Sequence, residues 1–428
     1  MVQQKLVSSE KTNEKEKICR DEPELRFPEF NEKWETLKLG DFLEFISTNS
    51  LSRAKLNLDD GKIKNIHYGD IHTKFPTIVN VENEEIPFIN LDEDTSKFKK
   101  EQFCKEGDLV IADASEDYAD IGKAIELVNV NIDLVAGLHT ILARDKSNKT
   151  ATGFKGYLFL TEDLRKKIKI NANGISVLGI SKNNIANLDV KLPSKQEQEK
   201  ISSFLHAIDK KIELLEKKKE ISNQTKSSIL KSIFDNVSIY SEDVIINNLF
   251  SIKKGKGLSK EKIDVNGKYA AILYGELYTK YSEIIESPIS FTDYDEGVPS
   301  KKGDILIPGS TTTKGIDLVT ASVVCEDNIQ LGGDINILRK KKELNPIYAA
   351  TFIKYFMKRE ILRLTQGSTI IHLYGKDLKD LEIMLPSLKI QNNVANFIKH
   401  YNTKENLYNE EINKVKRFKK ALLQKMFV

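Results

Sequence analysis

Cysteine is scarce. The 428 residues hold three, Cys19, Cys104 and Cys325, an odd number that is widely spaced and never forms a C-x-x-C pair. That excludes a disulfide framework and a zinc finger, and it fits a reducing cytoplasm. Long apolar runs are also missing. No stretch reaches the roughly 18 residues of a membrane span, and the opening "MVQQKLVSSEKTNEKEKICRDEPE" has no apolar core of a signal peptide. Residues 1–22 are instead expected to be a disordered, charge-mixed tail. An excess of one charge is lacking too: 66 Lys and Arg oppose 63 Asp and Glu, a net charge of +3. Bulk basicity therefore does not mark a nucleic-acid binder, and such a function would need charges sorted onto faces. Catalytic signatures are absent as well. There is no G-x-x-x-x-G-K-[ST] phosphate loop, no H-E-x-x-H and no Asn-Pro-Pro-Tyr. What remains is a well-solvated globular chain, 40% hydrophobic and 30% charged, long enough for two or three domains.

The chain is written twice. "KLPSKQEQEKI" (191–201) returns as "MLPSLKIQNNV" (384–394), and "NGISVLGISKNNIANLDVKLP" (173–193) as "QGSTIIHLYGKDLKDLEIMLP" (366–386). "IHYGDIHTK" (66–74) matches "ILYGELYTK" (272–280), and "KEGDLVIAD" (105–113) matches "KKGDILIPG" (301–309). "AGLHTILAR" (136–144) echoes "GGDINILRK" (332–340), and "ILKSIF" (229–234) echoes "LLQKMF" (422–427). The order is the same in both halves, with offsets between 193 and 206 residues. Two tandem units of roughly 190 to 200 residues follow, far longer than a solenoid period.

Each unit divides into a globular part and a helix. "DLVIA", "HTILA", "DILIP" and "DINILR" are short apolar runs bounded by Gly and Asp, as buried strands are. Residues 153–169 and 345–365 carry apolar residues at helical spacing, so the fold class is α+β. Neither Gly nor Pro occurs from Ser194 to Lys254 or from Ser387 to Val428. Ser194 and Glu197 form a capping-box pattern, of which the second copy keeps only Ser387. Ile201, Leu205, Ile208, Ile212, Leu215, Ile229 and Ile233 lie on a coiled-coil ladder. Lys219, Ser222 and Lys226 interrupt it with a polar centre, a device that sets register at the expense of stability. Val394, Ile398, Tyr401, Tyr408, Ile412, Val415, Leu422 and Met426 make the second ladder. A helix from Ser194 to Phe234 would be about 60 Å long. The expected organisation is a first domain at 23–193, a spacer helix at 194–236, a second domain at 237–386 and a spacer helix at 387–428. The two helices pair antiparallel with pseudo-two-fold symmetry, the seam being Ile201, Leu205, Ile208, Ile212 and Leu215 against Val394, Ile398, Tyr401, Ile412 and Val415. Two core helices in separate domains would be the plainer alternative.

These blocks, together with "PELRFPEFNEKWETLKLGDFLEF" (23–45), resemble the DNA specificity subunit of type I restriction–modification systems. The resemblance spans roughly residues 23–428 and departs at "NGIS", which stands where the second copy has "QGST". It implies two target-recognition domains, each reading one half of a split double-stranded DNA site, and paired helices that fix the gap and dock two methyltransferase subunits. Restriction/translocase subunits would join them. The chain would catalyse nothing, and S-adenosylmethionine, ATP and Mg would belong to the partners. A two-headed coiled-coil scaffold that binds proteins is the rival reading, and the low net charge favours it.

Candidate DNA contacts follow. Lys74 and Lys280 end matching segments and would grip phosphate. Thr311, Thr312, Thr313 and Lys314 form a Gly-flanked loop whose small hydroxyls can approach base edges. Its acidic counterpart carries Glu116, Asp117 and Asp120, which could accept from cytosine but otherwise repel phosphate. Lys253, Lys254, Lys256 and Lys260 are the densest basic cluster, with Ser52, Arg53 and Lys55 as counterpart. All of these also have the appearance of ordinary solvated loops. Phe204 and Phe397 are the apolar candidates for methyltransferase docking. No metal is expected at His67, Asp70 and His72, because the second copy has Leu273, Glu276 and Tyr278 there. Asp189-Val190-Lys191 resembles a nuclease D-x-K, but its copy reads Glu382-Ile383-Met384.

Overall fold

The structure, a computed structural model, describes residues 22–428; the expected tail, but for its last residue, and Cys19 lie outside the described residues. The chain forms two compact units. The first joins the stretch up to Leu214 with Asn413–Val428, and the second is Leu215–Ile412. Each unit therefore holds a globular domain and a part of both long helices.

The two domains share a topology. In the first, a five-stranded sheet runs in the spatial order Leu43–Ile46, Thr140–Asp145, Leu109–Ala112, Ala124–Val128, Ile78–Asn80. In the second the order is Phe250–Lys254, Ile335–Lys340, Ile305–Pro308, Ser322–Val324, Ile284–Ile285. Pairing is antiparallel throughout except at the last strand, which is parallel in both. The central strands are buried on both faces, which is why they read as continuous apolar runs rather than alternating ones. A smaller sheet pairs Lys64–Ile66 with Leu134–Ala136 in parallel, and likewise Tyr269–Ile272 with Gln330–Leu331. The copies diverge at its edge, where the first adds Leu56–Asn57 and the second Val298–Pro299.

The repeated "GD" is structural. Asp108 receives Arg144 Nε at 2.9 Å and Nη2 at 2.6 Å. Asp304 receives Arg339 in the same way, at 2.9 and 2.7 Å. Both carboxylates are buried, and a buried carboxylate needs a charged or hydrogen-bonding partner, which the bidentate guanidinium supplies. Asp189–Leu192 pairs as a strand with Glu35–Lys38, and Glu382–Leu385 with Glu242–Ile245.

The long helices are Lys195–Val237 and Leu388–Met426. At 43 and 39 residues they measure about 65 and 60 Å. Gln198 and Gln391 explain the duplicated start. Gln198 accepts from the Ala151 amide and donates to the Pro193 carbonyl, both at 2.9 Å. Gln391 does the same with Asn345 and Pro386, at 2.9 and 2.7 Å. Each glutamine thus pins the first turn of its helix to the domain before it.

The capping box is half formed. Ser194 Oγ accepts from the Glu197 amide at 3.4 Å, but the Glu197 carboxylate is taken by Arg26 at 2.8 and 2.7 Å. A bidentate, charge-assisted pair outcompetes one backbone amide. The expected helix 153–169 is also broken, into Phe154–Leu158 and Glu162–Ile170, and 345–365 divides at Met357.

Most ladder positions are buried: Ile201, Leu205, Ile208, Ile212, Val394, Ile398, Ile412, Val415, Leu422 and Met426. Leu215, Tyr401 and Tyr408 are half-buried. Ile229 is a correction: it is exposed, and Leu230 and Phe234 take the buried line. The stripe drifts by a residue because here it serves a domain core, with the period of a straight helix rather than a heptad. Leu230, Phe234, Val394 and Ile398 belong to one cluster with Tyr348, Phe352 and Ile383. In the first unit Phe427 stacks on Phe154 at 5.4 Å and meets Trp34 edge-on at 6.4 Å. Within the second unit the helices run antiparallel: Lys226 bonds Asn402, and Lys219 lies 3.8 Å from Glu405.

Candidate nucleic-acid interface

In each domain one end of the five-stranded sheet gathers several connecting segments whose side chains differ between the copies. In the first domain these are the loops after Ile46 and Ala112 and the turn before Thr140. In the second they are the loops after Lys254 and Pro308 and the turn before Ile335. A hairpin closes each face. Leu178–Gly179 pairs with Ala114–Ser115, and Ile371–His372 with Ser310–Thr311. Each hairpin turns on a glycine, Gly174 at φ +133° and Gly367 at φ +109°. A Cβ there would stand 2.0 Å from the Val177 carbonyl oxygen, or 2.1 Å from that of Ile370. Only glycine fits. The tips present Ile175, fully exposed, with Val177, and in the second domain Ile370.

The same left-handed corner is occupied by His139 (φ 54°) and Asp334 (φ 56°), residue types that tolerate this conformation. Around His139 lies an aromatic and imidazole cluster. Tyr68 sits 4.6 Å from His67, 5.4 Å from His139 and 6.0 Å from His72. His139 Nδ1 is 3.4 Å from Asp113. Burial pushes the Asp113 carboxyl up, and His139 opposes the shift. His67 Nδ1 accepts from the Gly69 amide at 3.1 Å, which marks a neutral ring; burial and the Arg53 charge lower its pKa. His72 Nε2 donates to the Ala114 carbonyl at 3.0 Å. Asp70 holds Arg53 at 2.7 Å and lies 3.7 Å from Lys74.

Around Asp334 the character is more basic. Lys254 pairs with it at 3.0 Å, and Ser310 Oγ donates to it at 3.1 Å; these contacts outweigh burial and hold its carboxyl below the ordinary range. Lys253, Lys256 and Lys260 are exposed. Lys262 lies 3.6 Å over the Tyr294 ring, whose hydroxyl abuts Gly257. His372 stacks on Tyr374, and Lys376 lies 5.6 Å from that ring.

The sequence-derived candidates divide accordingly. Arg53, Lys74, Lys254 and Lys280 are about half-exposed or more, with one carboxylate partner each, that of Lys280 being Glu276 at 3.7 Å. Ser52 is exposed and Lys55 pairs with Glu93. Thr312, Thr313 and Lys314 are exposed, but Thr311 is buried, and its hydroxyl accepts from the Thr313 amide at 3.2 Å. Thr311 is therefore a correction: it builds the loop and does not face outward. The acidic loop is braced by Asp117, which accepts from the Ala119 amide at 2.7 Å, and by Arg165, which donates to the Ala119 carbonyl at 2.7 Å. Phe204 meets Phe27 edge-on at 5.8 Å, and Phe397 is half-buried on the second core beside Tyr401. Sequence reading missed Tyr68, His139, Asp334, His372 and Tyr374 as parts of the face. The blocks "AGLHTILAR" and "GGDINILRK" hold two of them, His139 fourth in the first and Asp334 third in the second.

A sequence model described as the type I restriction modification DNA specificity domain matches residues 31–223 and again 241–417. The chain belongs to that family. A relative in Methanocaldococcus jannaschii, named as the putative type I restriction enzyme MjaX specificity subunit, is 21% identical over 419 residues, covering 92% of this chain and 93% of its own. The crystal structure of a type I S subunit from M. genitalium superposes with a TM-score of 0.55 at 15% identity, covering 95% of this chain and 99% of that one. A chain from a study of complex assembly and conformational transition of the type I R-M system gives 0.53 at 12% identity, covering 91% and 96%. The specificity-domain fold, two tandem domains with two long helices, is thus the fold of this chain. Among the described residues no helix is long and apolar enough to cross a membrane.

Proposed function

We propose that each domain reads one half of a bipartite, asymmetric DNA sequence through its loop face. The long helices set the unread gap and dock two methyltransferase subunits. The chain acts as the specificity subunit of a type I complex and catalyses nothing. Adenine methylation with S-adenosylmethionine, and translocation and cleavage with ATP and Mg, fall to the partner subunits.

One observation carries the reading. The same scaffold is built twice, and the copies differ in the side chains set on the same end of the sheet. His139 and Asp113 stand where Asp334 and Gly309 stand in the other copy, and an acidic loop replaces a threonine loop. Donors and acceptors so exchanged would meet different base edges in the major groove. The lysines and Arg53 around each face would grip phosphate and set orientation without reading sequence.

Mapping modified adenines in cells with and without the chain tests the reading. A split motif that vanishes with the chain is expected. Exchanging residues 46–173 for those of a relative should change one half of that motif and leave the other. A salt titration tests the contacts: binding should weaken steeply with salt, and each of Lys253→Ala, Lys254→Ala and Lys256→Ala should lower the log–log slope by about 0.9 where the lysine neutralises a phosphate. A protein-binding scaffold would give no split motif and no such slope.

A further inference from the structure

The centre of the second unit holds a charge where a helical seam would place a leucine. Lys226, in the C-terminal third of the first long helix, is 4% exposed. Its Nζ donates to Glu283 Oε2 at 2.9 Å and to Asn402 Oδ1 at 3.0 Å. Three chain segments meet there: the first helix, the second helix through Asn402, and the domain through Glu283, which precedes its edge strand Ile284–Ile285. Glu283 does not depend on Lys226 alone. Its Oε1 accepts from Lys354 at 3.0 Å and from the Tyr355 hydroxyl at 2.6 Å.

Asn402 points the same way. It is buried, and among the described residues its amide nitrogen has no hydrogen-bond partner. A buried unsatisfied donor costs stability that leucine would not. A layer that sacrifices stability in this way serves to choose among arrangements, the best-attested use of polar residues in helical seams. The choice is needed, because apolar residues spaced three and four apart on both helices would also match after a slide. A slide would move Lys226 into an apolar layer without its carboxylate, an arrangement that buried ammonium groups do not tolerate. Lys219 is no substitute: it is half-exposed and 3.8 Å from Glu405. In the first unit the matching position is Lys419, paired with Asp209 on the other helix and set 5.2 Å over the Tyr157 ring. Asp209 and Tyr157 bond each other there, and the pair is wetter.

We propose that Lys226 is the register lock of the helical pair. It is a positioning residue that selects one pairing of the helices and one seat for the second domain, and so one gap length in the DNA target. This rests on the bipartite reading above. A slide of one turn or one heptad is about 5 or 10 Å, equivalent to roughly two or three base pairs at about 3.4 Å each.

The test is the double variant Lys226→Met/Asn402→Leu, assembled with its partner subunits in cells and read by adenine mapping. It removes the polar layer but leaves Glu283 paired with Lys354 and Tyr355. Wild type should show one gap. The variant should modify the same half-sites with the native gap plus a second gap class two or three base pairs different, at up to about a tenth of sites, the population of a minor state. A cysteine pair, Lys219→Cys/Glu405→Cys, reads register in the purified protein, and its cross-linking should fall in the double variant. An unchanged single gap, or unchanged cross-linking, overturns the lock. So does loss of folding, because the layer would then support stability and not choice. Absence of any split motif in wild type would instead overturn the bipartite reading, while the cysteine pair would still report on register.

Discussion

Phe427→Ala should loosen the first unit and spare the second. The ring is 7% exposed, lies against the fully buried Phe154 and meets Trp34 edge-on. Removing a buried phenylalanine ring costs about 3–5 kcal/mol, of which each ring pair accounts for about 0.5–1.5. The first unit has close to 200 described residues, and a unit of that size loses about 2–4 °C per kcal/mol. Its transition should therefore fall by about 6–20 °C. Hydrogen exchange read by mass spectrometry gives the sharper measurement. Amides of Leu109–Ala112 and Thr140–Asp145 should lose more than about a hundredfold of their protection, with those of Ile305–Pro308 and Ile335–Lys340 unchanged. Phe234→Ala should produce the mirror result, because that ring touches Phe356 at 4.2 Å, Tyr348 at 5.5 Å and Phe352 at 5.6 Å. Equal loosening of both units by either variant would refute the assignment of helix ends to separate cores.

Two more outcomes follow from particular groups. Gly174→Ala and Gly367→Ala should each distort a hairpin and cost more than about tenfold in DNA affinity while shifting unfolding little, because the strain is confined to an exposed tip; unchanged affinity would remove the hairpins from the interface. Burial pushes the Glu283 carboxyl up, but Lys354, Lys226 and Tyr355 outweigh it and hold it well below the ordinary range. A depressed folded pKa contributes stability above the unfolded value of about 4.3 and loses it as pH falls through and below that value. Calorimetry of wild type and Glu283→Gln should show a stability difference at neutral pH that shrinks progressively below about pH 5; a constant difference would show that the carboxylate does not carry the effect.

Much of the architecture was legible because it was written twice. Strands such as "DLVIA" and "DILIP" formed where their apolar runs stood, and both helices began at the repeated Leu-Pro-Ser. Features that escaped depend on partners distant in sequence. Glu197 looked like a cap residue until Arg26, 171 positions away, took its carboxylate. Ile229 obeyed the heptad, but the helix had turned to serve a domain core. Lys226 was visible as an interruption, whereas its partner Glu283 had no sequence signature at all. On the candidate face the basic residues could be listed from composition. The His139 and Asp334 corner could not, because its backbone conformation depends on a turn that charge counting ignores.

The core of the first unit is completed by Val415, Leu422, Met426 and Phe427, which leave the ribosome only after the whole of Leu215–Ile412. The usual N-terminal-first order of folding during synthesis is thus inverted. The domain made earliest must wait, with Phe154 and Trp34 uncovered, while the later one can finish around helix segments already at hand. A nascent chain stalled in that interval would display an open apolar socket, the point where chaperones should be found.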